Sequence, residues 1–553
     1  MRFTTHADPF QLCDDGTRGY LEIVSIRSPM ILLRFNERLT RLPPNSLAVA
    51  SIVAAFGIAG ILTGYVIASG RPIPIALVLG VIGGIAMLNT LPIAISTVLI
   101  GVLLLSGPLF MFLPALEKGA WLFSVMGFFL TGAAMLYATV GRERFLRPPP
   151  PFVGMAIVLL AAGLLSIAYS DGPLMEGVRA GKRYFQFFGL LFIFAVVPFP
   201  ASLVRRWWGF LLAVALLQLP FALFQRLVLV PMREGMPDVV PIDIVVGTME
   251  GNLNGAGSSS VMVLFLSFML FYLLAAVREG VVTGRRFALL AAILAVPFAL
   301  GEVNLIVVLL PLALAASYQD LIRRQPFRIM LAAALALPLL GLLGWIYLSM
   351  QAGTGQPLDL KLEEIISYNF GQAGYYGRGL NRTSVYAYWM AHQSISDPIG
   401  FVFGHGLGSS FGSITELNPG HMDRTHAGMF IGLTTASSVL WDLGVVGLLL
   451  ILSLFLSAIR YAYRLTLTAR PGFDRAFCRA LYVMALMLFV MLFYSDAAIS
   501  VPSQEVLAAF TLGLIAWRWR WHSAEQMDLW ATDVLPENLG KVRATECFSA
   551  DGL

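Results

Sequence analysis

Long apolar runs, separated by short polar gaps, occupy most of the chain. A helix that crosses a bilayer needs about 20 mainly apolar residues, so runs of about this length predict membrane spans. The predicted spans lie near 45–69, 73–91, 92–115, 120–140, 152–170, 182–198, 207–228, 257–277, 286–301, 303–318, 328–350, 428–458, 478–495 and 503–518. The paired runs at 73–115 and 286–318 are also compatible with a broken or re-entrant helix.

The gaps between these runs are of two kinds, rich in arginine and poor in arginine. Cytoplasmic loops of membrane proteins are enriched in lysine and arginine, which places the N-terminal segment in the cytoplasm. This segment contains Arg27, Arg34, Arg38 and Arg41. Every second gap along the chain is also rich in arginine. These gaps contain Arg142, Arg144 and Arg147; Arg205 and Arg206; Arg278, Arg285 and Arg286; Arg323, Arg324 and Arg328; Arg460, Arg464, Arg470 and Arg475; and Arg518 and Arg520. The alternation predicts that both termini are cytoplasmic and that the stretch 351–427 lies outside.

Composition agrees with a membrane protein. Hydrophobic residues make up 58% of the 553 residues and charged residues 12%, whereas soluble domains carry roughly 25% charged residues. The net charge of +5 fits basic cytoplasmic loops and does not require a nucleic-acid partner. The three cysteines, Cys13, Cys478 and Cys547, have no disulfide or metal spacing. The first forty residues are polar and basic, which predicts a retained first span rather than a cleaved signal peptide.

These patterns predict an all-α fold, a polytopic transmembrane helical bundle of about 12–14 spans with a large periplasmic loop between late spans. The predicted organisation is a cytoplasmic N-terminal segment at 1–44, a transmembrane helical region at 45–350, the periplasmic loop at 351–427, C-terminal transmembrane helices at 428–519 and a cytoplasmic tail at 520–553.

Several polar residues break the topological pattern. Lys182 and Arg183 occupy the outer end of a span, Glu302 and Asn304 lie at the junction of two apolar runs, and the outer loop contains arginines. The arginines of the loop are Arg378, Arg382 and Arg424. Charged residues at membrane depth, or on the side that the positive-inside rule disfavours, are candidates for function.

The outer loop carries a series of motifs in a fixed order. Arg382 precedes Trp389, Pro398 follows, and then come a Gly-x-Gly-x-Gly turn, a histidine and a glycine step in the next apolar run. The turn consists of Gly404, Gly406 and Gly408, the histidine is His426, and the step is Gly444 and Gly447. This order resembles the O-antigen ligase and O-antigen polymerase superfamily. The upstream segment from Gly247 to Gly255, which includes Asn254, is similar to the Gly-Thr…Asn segment of that family.

The resemblance implies a membrane glycosyltransferase at the outer face of a bacterial inner membrane, with a donor glycan carried on undecaprenyl diphosphate. It implies no cofactor, no metal and no nucleotide sugar. The implied partners are the lipid-linked oligosaccharide, a glycan acceptor and membrane lipids, with a chain-length regulator and export machinery as further candidates. A polymerase would pass the growing chain to the next lipid-linked unit, and a ligase would pass it to a lipid A core or another acceptor.

The candidate residues suit this chemistry. An arginine fork binds phosphate oxygens in pairs and stays charged, and Arg378 and Arg382 would share one face of a helix. A histidine can accept the proton of an acceptor hydroxyl; the candidates are His426, His405 and His421. Substrate-binding candidates are Lys182, Arg183, Glu302, Asn254 and Arg424. The alternative is that these are solvated loop charges, headgroup anchors or turn caps.

Four functions compete at this point. We favour a polymerase of lipid-linked repeat units, with an O-antigen ligase as the alternative. A transporter of lipid-linked glycans is less favoured because transporters usually contain internal repeats, which we do not find in the sequence. A structural scaffold would leave the misplaced charges without an explanation.

Overall fold

The structure is a computed structural model that describes residues 90–112, 121–140, 147–236, 240–253, 258–301, 305–327, 331, 363, 379–393, 397–412 and 419–521. The chain divides into two units, 1–90 and 91–553, and apart from Thr90 the described residues belong to the second. The regular secondary structure of the described residues is helical, with no β-strand. This agrees with the predicted all-α class.

Nineteen α-helices follow one another along the described parts of the chain. They are α1 Leu91–Ile100, α2 Ser106–Phe112, α3 Trp121–Val140, α4 Pro151–Tyr169, α5 Leu174–Phe185, α6 Phe188–Val196, α7 Ala201–Phe224, α8 Val230–Arg233, α9 Ser259–Arg278, α10 Gly284–Gly301, α11 Ile306–Ser317, α12 Gln319–Arg324, α13 Ser384–His392, α14 Pro398–Phe403, α15 His421–Thr425, α16 Thr435–Thr468, α17 Phe473–Tyr494, α18 Ala497–Ser500 and α19 Pro502–Trp521. Short π-helices, Gly101–Leu105 and Gln225–Leu229, connect α1 to α2 and α7 to α8.

Within the described residues, eight helical segments are long and apolar enough to cross a bilayer. They are Leu91–Leu109, Trp121–Thr139, Pro151–Tyr169, Ala201–Arg233, Ser259–Arg278, Gly284–Gly301, Thr435–Thr468 and Phe473–Tyr494. Helices satisfy their backbone hydrogen bonds internally, which is why apolar runs adopt them in lipid. The chain is therefore a multi-pass helical membrane protein.

Some predicted spans differ from the helices in the structure. The predicted span 182–198 is divided, because α5 ends at Phe185 and a separate nine-residue helix, α6, follows. The predicted span 303–318 corresponds to α11, which has 12 residues. The predicted span 45–69, and nearly all of 73–91 and 328–350, lie outside the described residues.

Two long helices define the two ends of the bundle. In α16, Gly444 departs from helical geometry with φ 65°, and the segment 445–468 after this kink is roughly 36 Å long at 1.5 Å per residue. After a short turn, α17 returns beside it. The kink and the C-terminus of α17 therefore lie at one end, which we call the loop end. The connection 469–472 lies at the other, which we call the arginine end.

A buried ion pair fixes the arginine end. Arg518 of α19 donates from Nε and Nη2 to the two carboxylate oxygens of Asp474 in α17, over 2.9 and 2.8 Å. Both side chains are nearly fully buried. A bidentate pair of this kind has strict geometry, so it sets the position of α19 against α17. Residues Pro502 and Glu505 of α19 are consequently held at the loop end.

Candidate active site

The glycine turn of the outer loop packs directly against the kink in α16. Gly404, Gly406 and Gly408 all adopt positive φ, at 78°, 101° and 88°, a conformation that glycine adopts without steric cost. A Cβ atom on Gly404 would collide with the backbone of Asp442 and Leu443. The prediction that these glycines form a turn is confirmed, and the structure brings the turn together with Gly444.

Asp442 joins the turn to the kink through four hydrogen bonds. Its Oδ1 accepts from the Ser409 hydroxyl and the Ser410 N–H, and its Oδ2 accepts from the Gly408 N–H and the Tyr184 hydroxyl. Each donor–acceptor distance is 2.9 Å, and Asp442 has no exposed surface. Hydrogen bonds to a buried carboxylate are strong. Asp442 is therefore the residue that holds the loop, α5 and α16 in one arrangement.

Helix α5 is amphipathic and forms one wall of the site. Its Glu176 and Tyr184 are buried, whereas Leu174, Met175 and Val178 are exposed by 71%, 65% and 52%. A helix with one apolar exposed face and one polar face is typical of the membrane–water interface. We interpret α5 as an interfacial helix that carries the polar groups of the site at the depth of lipid headgroups.

A carboxylate–histidine pair connects α5 to the outer loop. His421 Nδ1 lies 2.7 Å from Glu176 Oε1, and the His421 N–H donates to Oε2 over 3.2 Å. Arg424 Nη2 lies 3.8 Å from the same carboxylate. A carboxylate that accepts from Nδ1 fixes the tautomer in which Nε2 can accept a proton. His421 is therefore arranged as a base, although the sequence ranked it behind His426 and His405.

Lys182 and Arg183 each lie against an aromatic ring. The Lys182 ammonium lies 4.0 Å from the centroid of the Trp121 ring, and the Arg183 guanidinium lies 5.0 Å from the Phe411 ring. Both cations are half-buried. Arg183 is within electrostatic range of Asp496 and Glu505. The predicted pair of cations thus belongs to a charged cluster at the loop end.

Two carboxylates complete this cluster. Glu505 accepts two hydrogen bonds from the Gln186 amide, at 3.0 and 2.9 Å. Burial raises the pKa of Asp496, while Ser500 and the charge of Arg183 act in the opposite direction. Glu505 and Tyr184 line the polar part of a narrow, otherwise apolar cavity of about 50 Å³, which has room for water but not for a lipid tail.

Arg382 lies immediately before α13, in a turn that its neighbour caps. The Asn381 side chain accepts from the N–H groups of Thr383 and Ser384, which starts the helix at Ser384. Arg382 was expected to lie on a helix, on the same face as Arg378. This expectation is wrong, because the Asn381 cap places Arg382 before the first residue of α13. Its Nε donates to the Tyr494 carbonyl over 2.7 Å, and its guanidinium lies 4.3 Å from the Tyr494 ring centroid.

These contacts orient the Arg382 fork and hold it at Tyr494, a residue that is close in sequence to the charged cluster. Tyr494 ends α17, and Asp496, the partner of Arg183, is two residues further on. The segment 494–496 is thus flanked by Arg382 and by Arg183.

His426 lies in an aromatic cluster over the kink. Its Nδ1 is 2.9 Å from the Tyr388 hydroxyl, and its ring lies 5.2 Å from that of His392 and 5.1 Å from that of Trp441. Burial lowers the pKa of His426, and the neighbouring His392 lowers it further. In the tautomer in which Nδ1 carries the hydrogen, it donates to Tyr388 and leaves Nε2 as a base.

His405 is held differently. The Gln393 amide nitrogen lies 3.0 Å from its Nε2 and donates to it, and the His405 N–H donates to the Trp441 carbonyl over 2.9 Å. Burial lowers the pKa of His405, against the opposing charge of Asp397. Because Nε2 already accepts a hydrogen bond, His405 is less suited to proton transfer than His426 or His421. Trp389 is 3% exposed and packs with Trp441.

The upstream segment 245–250 is a mostly buried, non-helical stretch that follows a short 3-10 helix, Pro241–Ile244. The Gln225 side chain accepts from the N–H groups of Val246 and Gly247 and donates to the Gly247 carbonyl. The Gln218 side chain accepts from the Thr248 N–H and donates to the Thr248 hydroxyl. Irregular backbone inside a membrane bundle must be satisfied by protein groups, and these two glutamines do so.

Glu250 ends this stretch and joins it to two helices. It accepts hydrogen bonds from Ser106 of α2 and from Ser503 of α19. Burial raises the pKa of Glu250, and these hydroxyls oppose the shift. Because Ser503 and Glu505 are neighbours in α19, the upstream segment and the charged cluster share the same helix start.

Several of the predicted site residues lie at the same end of the bundle. Arg382, Lys182, Arg183, Arg424, His405 and His426 all lie at the loop end. The predicted residues Arg378, Glu302 and Asn254 lie outside the described residues. Among the residues that the structure does describe, no three His, Cys, Asp or Glu side chains form a group that could hold a metal ion.

The sequence interpretation overlooked several polar residues of the site. Asp442, Glu505, Glu176 and Tyr184 were assigned no role, although each contributes a buried polar group to the loop end. An ionisable residue within an apolar run is a functional candidate. The same argument that selected Glu302 also applies to Asp442 and Glu505 and would have found them.

No protein-family model and no curated protein matches the chain.

Proposed function

We propose that this protein is a glycosyltransferase that polymerises oligosaccharide repeat units carried on undecaprenyl diphosphate, at the outer face of the bacterial inner membrane. The observation that carries the proposal is the meeting of three cations, Arg382, Lys182 and Arg183, with two orientated histidines, His426 and His421, at one end of a membrane bundle. The order of motifs in the outer loop, similar to the O-antigen polymerase and ligase superfamily, supplies the substrate class.

The chemistry of these groups matches a lipid-linked donor. A diphosphate at headgroup depth requires fixed cations beside an interfacial surface, and α5 carries Lys182 and Arg183 next to its exposed apolar face. Arginine binds phosphate oxygens in pairs and stabilises the charge that develops on a departing diphosphate. Arg382 and Arg183 are the residues proposed to do this.

The proposed reaction is a single glycosyl transfer. The acceptor hydroxyl oxygen forms a bond to the anomeric carbon of the donor sugar, and the bond from that carbon to the diphosphate oxygen breaks. The electron pair leaves with the undecaprenyl diphosphate. The hydroxyl proton passes to a histidine Nε2, with His426 preferred because Tyr388 orients it. His421, held by Glu176, is the second candidate for the same role.

The lowered pKa of His426 predicts the pH dependence of the reaction. A base must be unprotonated, and a histidine whose pKa lies below about 6.5 is unprotonated throughout the neutral range. Activity should therefore be constant near neutral pH and fall as the pH drops through the lowered pKa, on the acid side of 6.5. A pH–rate profile of the purified protein measures this.

Two variants identify the histidine that causes the fall in rate at acid pH, which is the acid limb of that profile. His426→Gln should lower the rate by roughly 100-fold and remove the limb, whereas His421→Gln should leave the limb in place. If the limb disappears in His421→Gln and survives in His426→Gln, His421 is the base and the preferred assignment is wrong.

Orientation in the membrane is a separate prediction. The arginine-rich gaps should be cytoplasmic and the loop end should face outward. In a background with Cys13 and Cys547 replaced by Ser, Met390→Cys, at a side chain that is 64% exposed on α13, should react with a membrane-impermeant maleimide in cells with a permeabilised outer membrane. Val281→Cys, between α9 and α10, should be protected. The reverse pattern would contradict the proposed side of the active site.

The lipid-linked glycans of a deletion strain test the function in the cell. Loss of a polymerase should leave undecaprenyl diphosphate carrying one repeat unit, with longer lipid-linked chains absent. Loss of a ligase should instead accumulate long chains on the lipid. Accumulation of single units on the cytoplasmic face would favour a transporter and would be inconsistent with both transferase assignments.

A further inference from the structure

A second polar cavity lies at the arginine end, away from the candidate active site. It has a volume of about 380 Å³ and is formed by the end of α11, by α12, by the last turns of α16 and by the first turns of α17. Its lining includes four arginines, Arg323, Arg324, Arg475 and Arg479, and one carboxylate, Asp320. A cavity of this size is within the range of small-molecule sites, roughly 300–1,000 Å³.

The inner arginines of this cavity are held in place by internal contacts. Arg479 Nη1 lies 2.7 Å from Glu279 Oε1, and its Nη2 lies 3.9 Å from Asp320. Arg475 donates to the Ala469 carbonyl from Nε and Nη2, at 3.2 and 3.1 Å. These two guanidinium groups therefore form a fixed wall of the cavity.

The charges of the cavity do not balance. Among the lining residues that the structure describes, Asp320 is the one carboxylate, and it is shared because Arg278 also pairs with it from outside the cavity. Glu279, the other nearby carboxylate, is shared by Arg475 and Arg479. Arg323 and Arg324 are exposed at the rim. The cavity is therefore strongly cationic and suited to an anion.

The position of the cavity indicates where such an anion would come from. Leu467, which is 66% exposed, is part of the lining and lies at the end of the candidate span Thr435–Thr468. The cavity thus opens at the depth where lipid headgroups begin. Basic pockets between transmembrane helices are suited to phospholipid headgroups, and arginine forks match phosphate oxygens.

We propose that this cavity binds a phosphate group, either that of an anionic phospholipid headgroup or free phosphate. Arg475 and Arg479 form the fixed part of the site, and Arg323 and Arg324 close over the anion from the rim. The proposal does not depend on the chemistry at the loop end.

The test is a binding titration by native mass spectrometry on the full-length protein in detergent. The probes are short-chain phosphatidylglycerol, short-chain phosphatidylcholine and inorganic phosphate. The double variant Arg323→Gln/Arg324→Gln removes the rim and spares the internally paired arginines. The matched control, Arg285→Gln/Arg286→Gln, removes two exposed arginines from the start of α10, which are not part of the lining.

The proposal predicts that phosphatidylglycerol binds the wild type more tightly than phosphatidylcholine does. The rim variant should weaken this binding by roughly tenfold or more, and the control by about twofold or less. If inorganic phosphate binds instead, with the same loss in the rim variant, the site takes free phosphate. Equal losses in both double variants, or equal binding of phosphatidylcholine, would overturn the proposal.

Discussion

Arg382→Ala is expected to lower polymer formation by about 100- to 1,000-fold, the effect of removing one group that stabilises charge in a transition state. The physical reason is the position of the guanidinium, which is fixed by the Tyr494 carbonyl and ring beside the segment that also faces Arg183. The measurement is the rate of chain extension by purified protein with a lipid-linked repeat unit.

Two variants serve as comparisons. One is Arg382→Lys, and the other is Arg285→Ala at the start of α10. Lysine keeps the charge but cannot offer a planar fork, so Arg382→Lys should recover only part of the rate. Arg285→Ala removes an exposed arginine that is not part of the candidate site. Its rate of chain extension should equal that of the wild type. Full activity in Arg382→Ala, with normal membrane insertion, would eliminate the diphosphate-binding role of this residue.

Asp442→Ala is expected to have the largest effect on stability. The substitution leaves four buried donors without their acceptor, from Tyr184, Gly408, Ser409 and Ser410. Each unsatisfied buried donor costs about 1–3 kcal/mol, so the total loss should be on the order of 4 kcal/mol or more, even after partial relaxation. Thermal unfolding of the purified variant in detergent measures the effect as a large fall in the midpoint.

Two milder variants calibrate this loss. Tyr184→Phe removes one of the four hydrogen bonds and should cost about 1–2 kcal/mol. Asp397→Ala removes the side chain that caps α14 through the Gly400 N–H, and should cost about 1 kcal/mol. The expected order of unfolding midpoints places Asp442→Ala well below both. If Asp442→Ala unfolds together with Asp397→Ala, Asp442 does not hold the loop to α16.

The membrane character of the chain could be predicted from sequence because it depends on composition over whole segments. A run such as 259–278 is apolar along its full length, and the structure has α9 there. The break between α5 and α6 could not be predicted by the same method. The last turn of α5, with Lys182 and Arg183, belongs to an amphipathic helix that packs through Tyr184 onto Asp442, and this tertiary contact is invisible to a hydropathy window.

The candidate site, too, could be predicted from sequence only in part. Arg382, Arg183 and His426 could be selected from sequence, because a charge or histidine in the outer loop contrasts with its apolar surroundings. The partners of the two arginines could not be selected, since Tyr494 and Asp496 are separated from Arg382 and Arg183 by long stretches of chain. The pairing of His421 with Glu176 spans 245 residues, and only the folded arrangement of α5 against the loop creates it.

The most direct test of the proposed function is an assay of purified protein with a single native repeat unit linked to undecaprenyl diphosphate. The polymerase proposal predicts a ladder of longer lipid-linked chains from this substrate alone, with no nucleotide sugar and no second acceptor. The opposite result would be no ladder from a verified native repeat, together with transfer of glycan to an added lipid A core. That result would contradict the polymerase assignment and support the ligase.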